Sequence, residues 1–136
     1  MQGVALHHVA IRTLDVAATT AFYADMLGLR SGPRPPFPGP GVWLYAADGT
    51  MPILHVVEVN AGAPGPTALF DHFSFAGRGL SGYLAKVKER GRPYSVIPVP
   101  ETPYVQVQHR DPNGILIEVT FEGEHLPEEE VLWVTV

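Results

Sequence analysis

The sequence predicts an α+β fold built from two βαβββ modules, and three observations carry that prediction. Strand-like alternation and helix-like spacing follow one another in the same order twice along the 136 residues. Matching positions recur at a near-constant offset: His8 precedes His72 by 64, Gly28 precedes Gly91 by 63, and His55 precedes Glu118 by 63. In both halves the strands set a polar or ionisable row opposite an apolar row. Such rows belong to a sheet covered by a helix on one face and open to a polar cup on the other.

The first element is a strand over residues 5–13, containing "LHHVAIRT". Neighbouring strand residues face opposite ways, so Val9 and Ile11 cover the helix while His8, Ala10 and Arg12 face away. His7 then stands at the strand's entrance on the helix side. A helix follows in "DVAATTAFYADML". Asp15 is its N-cap, because its carboxylate can accept the free amides of the first turn. Val16, Thr20, Phe22, Tyr23, Met26 and Leu27 recur at helical spacing. Gly28 ends the helix in the left-handed conformation. "LRS" is a short strand, and proline-rich "SGPRPPFPGPG" is a loop. "VWLYAAD" and "MPILHVVEV" form a hairpin turning near Asp48 and Gly49.

After a linker at 61–67 the order returns. "LFDHFSFAG" alternates, with Phe73 and Phe75 towards a helix and His72 and Ser74 away. "GLSGYLAKVKERG" is a short amphipathic helix with Ser81 near its start and Gly91 as the C-cap. "YSVIPVP", "YVQVQHR" and "ILIEVTF" are strands, the last two joined by the tight turn "DPNG". Tyr104, Gln106 and Gln108 share one face, opposite Val105 and Val107. Leu116, Glu118 and Thr120 likewise oppose Ile117, Val119 and Phe121. The expected layout is one domain over 1–136, with module one at 4–60, module two at 68–122 and a tail at 123–136. The tail breaks the repeat. Its acidic run reads as a solvated face, and "VLWVTV" as an edge strand or an oligomer contact.

Composition narrows the function. The chain is 46% hydrophobic and 17% charged, enough apolar content for a core. A formal charge of −5 and the lack of a basic cluster argue against a nucleic-acid partner. No apolar run approaches the roughly 20 residues of a membrane helix, and no signal peptide is evident. The chain contains no cysteine, so thiolate metal sites and disulfides are excluded, and a cytoplasmic location is expected.

Two modules curved about one cup would bring His8, His72 and Glu118 to its floor, with His55 close by. Two imidazoles and a carboxylate suit a divalent transition metal (Fe, Mn, Zn, Ni or Co) and leave sites open for a small molecule. His7, His109 and His125 are read as structural. Trp43 and Tyr45 either line the cup or fill the hairpin. Gln106 and Ser74 are the candidates for supporting the ligands.

"HHVAIRT…FYADMLGL", "DHFSF" and "HRDPNGILIEV" together resemble the vicinal oxygen chelate superfamily, which includes glyoxalase I, extradiol dioxygenases and bleomycin resistance proteins. "RPPFPGPGVWLYAADGTMPILHVVE" further resembles a glyoxalase-like subgroup of it. The resemblance runs from residue 4 to about 122. It implies an incomplete barrel around a metal, often in a homodimer. His8 and His72 match the first-strand ligands, and Glu118 matches the fourth-strand ligand of module two. His55 falls at the fourth-strand position of module one, where glyoxalase I-like members carry Glu or Gln. It is therefore either a fourth ligand or a base beside the metal.

The resemblance implies bidentate capture of adjacent oxygens of a small-molecule substrate. A dioxygenase-like enzyme is the first expectation, with His55 or Tyr104 handling protons. The alternative is a glyoxalase I-like lyase or isomerase, in which Glu118 or His55 moves a proton beside a polarised carbonyl. A third reading, of a different class, is a metal-free drug-sequestering protein; the intact His8, His72 and Glu118 speak against it.

Overall fold

The computed structural model describes residues 6–60 and 72–136. The start of the first expected strand, the linker at 61–67 and the lead-in "LFD" fall outside those residues. The chain divides into two compact units at residues 65–66.

Module one comprises β1 (Val9–Thr13), α1 (Val16–Leu27), β2 (Arg30–Gly32), β3 (Gly41–Tyr45) and β4 (Pro52–Glu58). Its sheet runs β1-β4-β3-β2, with β1 parallel to β4 and the other pairs antiparallel. The first strand is shorter than expected: His8 stands immediately before it. Asp15 caps α1 by accepting the Ala18 amide at 2.9 Å. Gly28 ends it at φ 66°, with its N–H on the Ala24 carbonyl. Thr19, Phe22, Tyr23 and Met26 are the buried stripe. Thr19 replaces the expected Thr20 because its hydroxyl bonds that of Thr13 at 2.9 Å, which satisfies two buried polar groups at once. Ile11, Leu44, Leu54 and Val56 of the sheet are buried as well.

Module two repeats the plan: β5 (His72–Gly77), α2 (Leu80–Glu89), β6 (Tyr94–Pro98), β7 (Tyr104–Arg110) and β8 (Leu116–Glu122), with sheet order β5-β8-β7-β6. β5 and β8 are parallel. Leu80, Leu84 and Val87 of α2 are buried, as are Val105, Val107, Ile117, Val119 and Phe121 of the sheet. Gly77 carries no Cβ for a packing reason: one there would lie 2.6 Å from Val119 Cγ1.

The duplication holds in register. Ala10 pairs with His55 in module one, and Ser74 pairs with Glu118 in module two. His8 and His72 each stand two residues before that partner. Trp43 pairs with His55 as Gln108 pairs with Glu118.

Two details of α2 differ from expectation. Ser81 is not its cap; the Gly79 and Leu80 amides donate to the Glu124 carboxylate at 2.8 and 2.7 Å. The C-cap is Arg90, and Gly91 follows at φ 62°. The tail is likewise more than a solvated face. Glu130 pairs with Lys88 of α2, and Leu132 exchanges two backbone bonds with Val96 on edge strand β6. The expected edge strand is thus a single bridge, extended by Ser95, whose hydroxyl donates to the Val134 carbonyl and accepts its amide.

Candidate metal centre and its surroundings

Glu118 sits mid-strand on β8, on the face opposite Ile117 and Val119, and is 4% exposed. A carboxylate so buried needs donors, and the neighbouring strand supplies them. Gln106 Nε2 donates to Oε1 at 2.8 Å, and Gln108 Nε2 donates to Oε2 at 2.9 Å. Thr120 Oγ1 adds a bond to Oε1 at 3.1 Å. Because the Thr120 proton goes to Glu118, the 2.9 Å contact between Ser74 and Thr120 hydroxyls has Ser74 as donor. A carboxylate has about four acceptor positions. Two donors fill Oε1 and one reaches Oε2, so the open position lies on Oε2. That oxygen is the one facing His72, whose Nε2 stands 3.6 Å away.

Module one places imidazoles at the equivalent positions. His8 and His55 stack with centroids 3.9 Å apart and planes 13° from parallel. Trp43, opposite His55 on β3, stacks on the other side at 4.2 Å and 12°. Phe37, from the proline-rich loop, backs Trp43 at 6.0 Å. His55 Nε2 is buried without a hydrogen-bond partner. Burial, joined by the positive charge of His8 and His7, holds the His55 pKa below the usual imidazole value. His7 Nδ1 contacts His8 Nδ1 at 2.8 Å, one donating and the other accepting. That contact occupies Nδ1 of His8 and leaves Nε2 as the nitrogen outside it.

The candidates therefore come together as two pairs, His72 with Glu118 and His8 with His55. Among the described residues, no group of three or more His, Asp or Glu side chains is arranged to hold an ion. The donor chemistry nonetheless fits a divalent transition metal: a carboxylate with a free position towards an imidazole, and an imidazole oriented through its other nitrogen. Tyr104 shares the face of Gln108 but lies four residues along β7, roughly 13 Å away at strand spacing. It borders a cleft of about 580 Å³ lined with Ala76, Arg78, Thr120 and Glu122. The two uncertain aromatics separate. Trp43 joins the site face, whereas Tyr45 packs on Gly32 and donates to the Pro33 carbonyl at 2.5 Å.

Sequence reasoning found Gln106 but missed Gln108 and His7. Gln108 shares the even-numbered row with Gln106, and that signal was available. His7 was assigned to the helix side, yet it is exposed because β1 begins only at Val9. His109 is structural as expected: fully buried, it bonds Tyr83 at 2.7 Å.

The model of the Glyoxalase/Bleomycin resistance protein/Dioxygenase superfamily matches residues 5–119. Among solved structures, the fosfomycin resistance protein FosX from Listeria monocytogenes superposes with a TM-score of 0.66 at 15% identity. The match covers 96% of this chain and 98% of that one. Lactoylglutathione lyase from Agrobacterium tumefaciens gives 0.65 at 21% identity, over 89% and 96%. A glyoxalase/dioxygenase from Nostoc punctiforme gives 0.67 at 20% identity, over 88% and 92%. At these identities the likeness establishes the fold alone. No curated protein matches the chain.

Proposed function

The chain belongs to the Glyoxalase/Bleomycin resistance protein/Dioxygenase superfamily, and from that premise we propose that it is a metal-dependent, dioxygenase-like enzyme acting on a small substrate with adjacent oxygens. His8, His72 and Glu118 are the ligands in this reading, and His55 is the base. When bound, the metal supplies Lewis acidity to the substrate's paired oxygens. The remaining work belongs to the chain. Gln106, Gln108 and Thr120 hold the Glu118 carboxylate in place through hydrogen bonds and leave a position on Oε2 to bind the metal. His7 orients His8 through Nδ1. His55, kept neutral, accepts a proton at its free Nε2. Tyr104 and Arg78 meet the far end of the substrate rather than the reacting atoms.

The observation that carries this reading is the parallel stacking of His55 on His8. Imidazole nitrogens bind metals along lone pairs in the ring plane. Stacked rings hold those lone pairs in parallel planes, which disfavours the sharing of one ion by His8 and His55. The set is then two histidines and one glutamate with open positions, the donor pattern of Fe(II) oxygenases. A homodimer in the cytoplasm is the accompanying expectation, in keeping with the family resemblance and the absence of cysteine.

The test is dioxygen consumption by Fe(II)- or Mn(II)-loaded protein over a panel of catechols and other vicinal diols. Uptake is expected, with loss in His72→Ala. Uptake that persists in that variant removes the assigned site. A glyoxalase I-like isomerase is the second reading, favoured by the His55 imidazole, whose Nε2 has no hydrogen-bond partner. Anaerobic isomerisation of a hemithioacetal selects it over the first.

A further inference from the structure

The stacked rings of module one bear on how the ligand set is limited. His55 is an imidazole at the position that, in module two, is occupied by the ligand Glu118. Nothing in its chemistry prevents it from binding the same ion. Its surroundings do. Trp43 lies flat against one face at 4.2 Å and 12°, and His8 against the other at 3.9 Å and 13°. A metal–imidazole bond is about 2.1 Å long and lies in the ring plane. The lone pairs of His8 and His55 lie in roughly parallel planes, so His55 would have to turn about its Cβ–Cγ bond to share an ion with His8, and the indole packed on its other face opposes that turn. Trp43 is itself held: its backbone is paired with His55 across β3 and β4, and Phe37 backs its ring at 6.0 Å.

We propose that Trp43 is a positioning residue whose flat contact with His55 keeps that imidazole out of the coordination sphere and so leaves a position open to substrate. The inference rests on the three-ligand reading above. The two modules then use one strand position in opposite ways. Gln108 grips the acid that binds the ion, and Trp43 restrains the imidazole that does not.

The test counts imidazoles on Cu(II)-substituted protein by the nitrogen couplings in its pulsed EPR spectrum, alongside a competitive metal titration. Trp43→Leu keeps an apolar residue in the strand but removes the flat face. It is expected to show one more imidazole than wild type and to hold metal more tightly. Trp43→Phe, which retains a ring, should keep the wild-type count. Trp43→Leu combined with His55→Ala should return to it. Circular dichroism establishes that each variant folds, and Trp43→Met serves in place of a leucine variant that does not. An unchanged count in the non-aromatic variant overturns the inference, as does an extra imidazole that survives loss of His55. Wild-type protein that takes up no copper overturns the three-ligand reading, and the role of Trp43 with it.

Discussion

At the residue scale, Glu118 shows how burial and donors together define a group's chemistry. Its charge is tolerable at 4% exposure because three side chains donate to it. Removing one donor leaves the carboxylate under-satisfied. Gln108→Leu is expected to cost about 1–3 kcal/mol in urea unfolding and to weaken metal binding by roughly 10- to 100-fold. His109 is the complementary case, a buried group that stays neutral. Burial pushes its pKa down to about 4 from 6.5, against the opposing effect of a backbone bond at Arg110. Between those values the unfolded chain holds a proton that the folded chain lacks. Stability therefore falls as pH drops through the window, by about 3 kcal/mol at most. In His109→Gln the urea midpoint should vary less between pH 6.5 and 4 than in wild type. Equal slopes would refute the assignment.

At the scale of elements, the two helices are started by different means. α1 carries its own cap in Asp15, whereas α2 borrows the Glu124 carboxylate from beyond β8. An acid at a helix N-terminus satisfies free amides and opposes the positive end of the helix dipole. Glu124→Ala should accordingly lower stability by about 0.5–2 kcal/mol, while Ser81→Ala should stay within about 0.5 kcal/mol of wild type. Chemical denaturation of the two variants decides between the tail and the helix's own residue as the cap. The tail also contacts the same module through the Lys88–Glu130 pair and the Val96–Leu132 bridge.

At the scale of the whole molecule, the proposed ligands come from both modules, which makes a prediction no single-module site shares. A metal that binds only the folded protein raises its stability by about 2.7 kcal/mol at a hundredfold excess over Kd. Addition of Mn(II) or Zn(II) to stripped protein should therefore raise the melting temperature. The rise should vanish equally in His8→Ala, in module one, and in Glu118→Gln, in module two. A rise that survives in the His8 variant would confine the site to module two and end the shared-ion reading.

Much of the fold is local physics, and the sequence by itself determined it. The order of elements, the Asp15 and Gly28 caps and the faces of β5, β7 and β8 follow from spacing of two or 3.6 residues and from backbone angles particular residues favour. The repeat offset likewise located His8, His55, His72 and Glu118 in equivalent registers. Tertiary structure alone decided what each of these touches. Face is a matter of parity, but distance along the face depends on strand register, which is why Tyr104 shares a row with Gln108 yet stands far from Glu118. Whether His55 offers a metal its nitrogen or its flat side depends on Trp43, twelve residues away in sequence and adjacent only after β3 and β4 pair. The cap of α2 arrives from 45 residues downstream. Such contacts form when distant segments pack, and no local pattern encodes them.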